Sequence, residues 1–332
     1  MNNDTGLPET LMEAISYFGD VENSHQFMVN LRWPDGKPTC PCCGSQDVRY
    51  ISTRRLWECK VKHAKRQFSV KVGTIFEDSP IKLDKWFCAM WMLANCKNGV
   101  SSYEISRELG VTQKTGWFML HRIRMAMHNG TFEKMDGHVE ADETFIGGKA
   151  RNMHPAKRKA TVKGTGGMHM TPVQGLLERG TRDGVKVSRV KAEVLKSRKK
   201  KDIQGKVRNY VVKGSQVSTD ALRSYDGLKD EYTHKVVDHA VTYVEGEVHT
   251  NGLENFWSLL KRTLKGTYVS CEPFHLFRYL DEQTFRFNER KEDNHGRFLL
   301  LAKGGLGKRL TYKVLTAAAS SDNDGNCLPA LA

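Results

Sequence analysis

Four of the chain's eight cysteines, Cys40, Cys42, Cys43 and Cys59, crowd one short stretch, and that stretch constrains the fold more than any other. In a reducing compartment such a cluster reads as metal ligation and not as a disulfide framework. Cys40 and Cys43 form a Cys-x2-Cys knuckle, whose following Gly44 lets the backbone fold its amides toward the sulfurs. Cys59 and His63 offer a second pair, Cys-x3-His. Cys40, Cys43, Cys59 and His63 would complete a tetrahedral Cys3His site for structural Zn2+, the core of a zinc ribbon. Cys42 is the substitute ligand should His63 be a surface histidine. Cys88, Cys96, Cys271 and Cys327 are scattered.

The remainder must be more than a ribbon, because 332 residues leave room for two or three domains. Lys and Arg number 52 against 38 acidic residues, a formal charge of +14. That balance favours a polyanionic partner, since neutralising phosphates releases counterions. No run approaches the roughly 18 apolar residues of a membrane span, and residues 1–6 lack a basic n-region and an apolar h-region. A cytoplasmic protein with no membrane partner is expected.

In chain order, residues 8–18 and 23–32 carry helical patterns, and Trp33-Pro34-Asp35-Gly36 makes a turn, so 1–36 reads as a helical segment and 37–80 as the ribbon. Leu83 to Cys96 is an apolar helix whose Trp86, Phe87, Met90, Trp91 and Leu93 read as core. From Ser101 the pattern is two helices about a turn: Ser101 or Ser102 caps, Ile105 and Leu109 point inward, Gly110 turns, and Thr112 caps a second helix through Met127. This 81–130 stretch reads as a helix-turn-helix whose second helix could enter a major groove, with Gln113, Lys114 and Arg122 as candidate DNA contacts.

From residue 137 the pattern alternates. His138 to Gly148 reads as a strand with Glu140, Asp142 and Glu143 bunched at its middle; adjacent strand residues face opposite ways, so only one of Asp142 and Glu143 faces a shared site. Residues 149–170 are a basic loop or insertion. Pro172 to Glu178 and Val185 to Val190 read as a hairpin through Gly180 and Gly184, and Ala192 to Lys201 as a basic helix or loop. Ser215 to Asp220 is a strand ending on an aspartate before a helix from Ala221 to Tyr225. Asp226, Asp230 and Asp238 are rival carboxylates on polar segments. Beyond His249, a strand-end residue or a hydrogen-bond partner of the site, comes an amphipathic helix: Leu253, Phe256, Trp257 and Leu260 share one face, and Asn251, Glu254, Ser258 and Lys261 another. A helix from His275 to Phe285 packs aromatics on the sheet, with Arg278 and Arg286 as further DNA candidates. The aperiodic tail, 316–332, reads as disordered.

Two strands each bearing an aspartate, then a helix bearing a glutamate, is the order of carboxylates in the α/β, mixed-sheet ribonuclease-H-like fold. With Arg32 to Gly36, Cys40 to Ser45, Gly73 to Phe76, Glu140 to Thr144, Asn251 to Arg262 and Phe285 to Arg290 in order, the chain resembles bacterial insertion-sequence transposases of the DDE type, the ISXO-like group with zinc ribbon and helix-turn-helix. The resemblance implies a catalytic domain over 136–300. It implies that Asp142, Asp220 and Glu254 hold Mg2+ (or Mn2+), two ions that stabilise attacking and leaving oxygens of an in-line phosphoryl displacement. Asn251 stays open as an alternative third ligand, which some relatives use. It implies that Lys261, with Arg262, touches phosphate near the element end. The implied reaction is hydrolysis that frees a 3′-hydroxyl at the element end, then attack of that hydroxyl on target DNA. The implied partners are double-stranded DNA and further copies of the chain, as a homodimer or higher synaptic complex. A DNA-binding regulator without catalysis and a nuclease without joining are the rival functions.

Overall fold

The computed structural model describes residues 7–128, 133–148, 150–162, 169–182, 185–220, 222–237 and 250–317. They gather into two units, residues 1–129 with 289–316, and residues 130–288. No helix among the described residues is long and apolar enough to cross a membrane.

The first unit begins with two capped helices. Thr10 accepts the Glu13 N–H, and the Glu13 carboxylate returns to the Thr10 N–H, which starts α1 (Leu11–Gly19). Asp20 then ends α1 and caps α2 (Val21–Arg32). A three-stranded antiparallel sheet follows, β1 (Val48–Ile51), β2 (Leu56–Cys59) and β3 (Gln67–Ser69). The expected aromatic helix is α3 (Leu83–Asn95), and Trp86, Phe87, Met90, Trp91 and Leu93 are all core.

Ser101 caps α4 (Ser102–Leu109), Gly110 turns at φ +58, and Thr112 caps α5 (Gln113–Met127). The two helices cross closely at Gly116, where a Cβ would fall 2.9 Å from the Ser102 carbonyl oxygen. From Gly116 onward α5 is largely buried, and this corrects one expected DNA contact. Arg122 is 3% exposed and donates to the carbonyls of Leu310 (3.0 Å), Ile75 (2.9 Å) and Glu77 (2.8 Å). Its guanidinium is an internal strut, whose fork of N–H groups satisfies three backbone carbonyls at once.

The second unit is built on a five-stranded sheet. Its strands are β4 (His138–Ile146), β5 (Thr171–Arg182), β6 (Val185–Val194), β7 (Gln216–Asp220) and β8 (Thr233–Val237), in the order β6-β5-β4-β7-β8. The first three form an antiparallel meander, while β7 and β8 run parallel to β4 and to each other. In the basic segment, α6 (Pro155–Thr161) stands where a loop is expected. Gly180 lies within β5, opposite Val187, so the hairpin strands are longer than expected. Of the stretch Ala192 to Lys201, expected as a basic helix or loop, the first three residues finish β6 and only the last two open a helix, α7 (Lys200–Tyr210). After β7 the expected helix is replaced by short 3₁₀ turns, Arg223–Tyr225 and Leu228–Asp230, because Gly227 at φ +97 breaks the helical path.

Alternation splits the sheet into two faces. Val139, Ala141, Leu176 and Val217 join Ile203 and Val207 of α7 and Tyr225 in one core cluster. On the other face, Val173, Leu177 and Val190 pack under α8 (Asn251–Gly266) and α9 (Leu276–Asn288), through Leu253, Phe256, Trp257, Leu260 and Leu280. Arg278 and Arg286 of α9 turn inward: Arg278 is 9% exposed, and Arg286 pairs with the fully buried Glu282. Both are therefore packing residues and not DNA contacts. The last helices, α10 (Asn294–Gly304) and α11 (Tyr312–Thr316), belong to the first unit, where Phe298 of α10 stacks among Phe18, Phe27 and Trp91. The unit containing Asp142 thus ends at 288 and not at 300. The tail beyond 317, together with Asp238 and His249, lies outside the described residues.

Candidate active site

Among the described residues one set of metal-type ligands gathers tightly, and it lies in the first unit. There the Sγ atoms of Cys40, Cys43 and Cys59 and a ring nitrogen of His63 lie within 4.8 Å of one another. Cys40 Sγ is 3.4 Å from His63 Nε2, and Cys43 Sγ is 3.6 Å from Cys59 Sγ. Ligands at roughly 2.3 Å (sulfur) and 2.0 Å (nitrogen) around one tetrahedral zinc are separated by about such distances. Local geometry builds the set. Gly44, at φ +72, folds its N–H back onto the Cys40 carbonyl at 2.8 Å. Cys59 ends β2 opposite Val48, and Arg66 Nε donates to its carbonyl at 2.9 Å. Cys42 is exposed and stands outside this set. The donor set suits structural Zn2+.

In the second unit, the register Ala141↔Thr219 of β4 and β7 brings Asp142 and Asp220 to the next step of two adjacent parallel strands. By alternation both face away from the cluster of Val139, Ala141 and Val217, toward α8. Glu254 lies in the first turn of α8. Burial first, then the Asp220 and Glu254 carboxylates, pushes Asp142 up to about 6, against the pull of the Trp257 N–H. Oxygen donors bearing like charge suit a hard divalent cation, which would relieve that repulsion. The residues fit such an ion, yet these acids do not close as the cysteines do. Among the described residues, only the Cys/His group draws its ligand atoms within 4.8 Å.

Glu143 faces the opposite side, as alternation requires. The fully buried Tyr225 hydroxyl donates to it, and burial, with Asp142 and Asp220 adding, pushes it up to about 8. Asp226 and Asp230 are exposed on the turns after β7. Asn251 opens α8, exposed, one turn before Glu254. Lys261, half-buried, and Arg262, exposed, lie two turns beyond Glu254. In the other unit, Gln113 spends one amide hydrogen on Ser102 Oγ (2.8 Å), and exposed Lys114 stands 4.7 Å from the Tyr312 ring centre. These two occupy the open first turn of α5.

Sequence reasoning missed the residues that brace the acids. Trp257, assigned only to an apolar face, donates its indole N–H to Asp142 Oδ2 at 2.9 Å. Gly175, opposite Asp142 on β5, makes room for it, since a Cβ there would fall 2.6 Å from the Trp257 ring. Glu140 is 0% exposed and bound to Arg179 and to the Leu253 N–H. Its signal was available: Glu140 and Asp142 are two apart on one strand and share a face.

Comparison with known families agrees with this division. Residues 134–288 match the ISXO2-like transposase domain. Residues 20–61 match the transposase zinc-ribbon domain. The chain is also similar to an uncharacterized protein in transposable element ISH50 of Halobacterium salinarum, 28% identical over 267 residues, covering 76% of this chain and 86% of that one.

Proposed function

With a transposase zinc-ribbon domain and an ISXO2-like transposase domain in one chain as the premise, we propose a cytoplasmic DNA transposase that binds the terminal inverted repeats of an insertion sequence and catalyses metal-dependent cleavage and strand transfer. The observation that carries the reading is the β4–β7 register, which sets Asp142 and Asp220 one step beyond the Ala141↔Thr219 pair on the sheet face packed under α8, the helix whose first turn bears Glu254. Glu254 is favoured over Asn251 by its spacing to Lys261 and Asp220, and because an amide brings oxygen but no charge. The strand order, an antiparallel meander followed by two parallel strands, supports a ribonuclease-H-like fold for residues 130–288.

Asp142, Asp220 and Glu254 would hold Mg2+ or Mn2+, which when bound stabilises the attacking and leaving oxygens of a phosphoryl displacement. The chain's own residues orient that set. Trp257 fixes one oxygen of Asp142. Lys261, on the helix face of Glu254, would place a positive charge beside a DNA phosphate, and Arg262 would add a second contact. The ribbon and the α4–α5 hairpin, acting as a helix-turn-helix, would read the ends, with Gln113 and Lys114 at the open first turn of α5. Holding two ends together requires a homodimer or a larger synaptic complex.

The test is cleavage and joining of a labelled duplex carrying the element's own end, with magnesium or manganese. Wild type joins ends, whereas Asp220→Ala and Glu254→Gln bind but perform neither step. A chain that cuts without joining is a nuclease, and one that only binds is a regulator. Loss of activity in Asn251→Ala with Glu254→Gln active would transfer the third ligand to Asn251.

A further inference from the structure

Two hydrogen bonds tie α8 to β4, one strand step and one helical turn apart. At the second, Trp257 donates to Asp142. At the first, Glu140 Oε2 accepts the Leu253 backbone N–H at 3.0 Å, while Oε1 takes Arg179 Nε and Nη2, each at 2.6 Å. A fully buried carboxylate is costly unless paired, so Glu140 needs these partners. The helix needs an acceptor in turn. First-turn N–H groups have no partner within a helix, and Thr250 at the N-cap makes no side-chain cap bond. The cap is therefore supplied by the sheet, 113 residues away in sequence, and the negative charge sits at the favourable end of the helix dipole. The fit is tight. A Cβ on Gly252 would fall 2.8 and 3.0 Å from the two Glu140 oxygens.

We propose that Glu140, held by Arg179, is a positioning residue that docks the first turn of α8 on β4 and so keeps Glu254 in one metal-binding set with Asp142; this rests on the metal-triad reading above. Glu254 directly follows Leu253, and Asp142 stands one same-face step beyond Glu140. One carboxylate thus sets the relative height of strand and helix at the site. Glu140 is not itself a ligand, because its oxygens are engaged by Arg179 and Leu253.

Terbium(III), a hard oxygen-seeking ion, is the probe, added to the full-length, zinc-loaded protein. Bound at Asp142 it takes excitation from the Trp257 indole, so Asp142→Asn and Glu254→Gln remove that emission. Glu140→Gln weakens terbium binding by about 10–100-fold, as loss of an outer-shell partner does. Gly252→Ala, which keeps every carboxylate and improves helix propensity, shifts the titration the same way. It also serves should Glu140→Gln fail to fold. Glu178→Gln, which breaks an ion pair with Arg189 on the other face of β5, leaves the titration unchanged. If Glu140→Gln and Gly252→Ala titrate like wild type while Asp142→Asn is silent, Glu140 is structural only and the proposal is wrong. If Asp142→Asn also titrates like wild type, the metal-triad reading itself fails and takes this inference with it.

Discussion

The ribbon and the acidic site are both sets of metal-type ligands, but they are held in different ways. Cys40, Cys43, Cys59 and His63 come from one hairpin and its flanks and already stand at ligand separation. Asp142, Asp220 and Glu254 come from two strands and a helix, with Asp142 held by the Trp257 indole, and do not gather into a set as tight as the ribbon's. A structural site closes around its ion as part of folding. A site that must also admit a phosphate keeps its charges open, and it carries their repulsion until a cation arrives.

The largest effect should come from breaking the closed site. Stripping zinc removes binding energy on the scale of about 10–16 kcal/mol, and Cys43→Ser removes part of it. Proteolysis and hydrogen exchange should then show β1, β2 and β3 opening while residues 130–288 keep their unfolding transition. Unchanged protection of those strands would mean that the ribbon is preorganised without metal. Next in size, Gly175→Ala drives a methyl into Trp257 and Leu253 and should cost about 1–3 kcal/mol in thermal unfolding of that unit, as overpacking does. Zinc content should not change.

Asp142→Asn sharpens the contrast in sign. In magnesium-free, zinc-containing buffer near neutral pH it should stabilise the protein by about 1–2 kcal/mol, because it removes a desolvated like charge. Losing a ribbon ligand does the reverse. A lower unfolding temperature for Asp142→Asn would show that the acids are not in conflict before metal binds. The smallest effect concerns His25, which is 7% exposed and stacked on Trp57 at 5.7 Å. Burial holds its pKa below 6.5, so the unfolded chain takes up the proton first and stability falls as pH drops through about 6.5. His25→Phe should flatten that fall by under about 1 kcal/mol between neutral and mildly acid denaturant titrations.

How far each region could be read from sequence follows the same division. The ribbon ligands were legible because their geometry is local: two short spacings and a glycine specify the knuckle. Asp142 and Asp220 were legible as strand positions, and the capped pair α4 and α5 as a turn signal with Ser101, Gly110 and Thr112. Arg122 was misread because a basic residue on a helix looks solvent-facing, whereas its burial depends on a carbonyl 188 residues away. Trp257 and Glu140 were undervalued for a related reason. Their partners lie 115 and 113 positions away, so pattern within a segment cannot pair them. The short strand β8 escaped because five residues, THKVV, carry too little alternation to mark a strand.

The most direct measurement is anomalous difference scattering from crystals of the full chain soaked in manganese, recorded at the zinc and manganese edges. Zinc is expected among Cys40, Cys43, Cys59 and His63, and manganese ligated by Asp142 together with Asp220 and Glu254. Zinc bound through Cys42 in place of His63, or manganese absent from Asp142 while present elsewhere, would contradict that assignment.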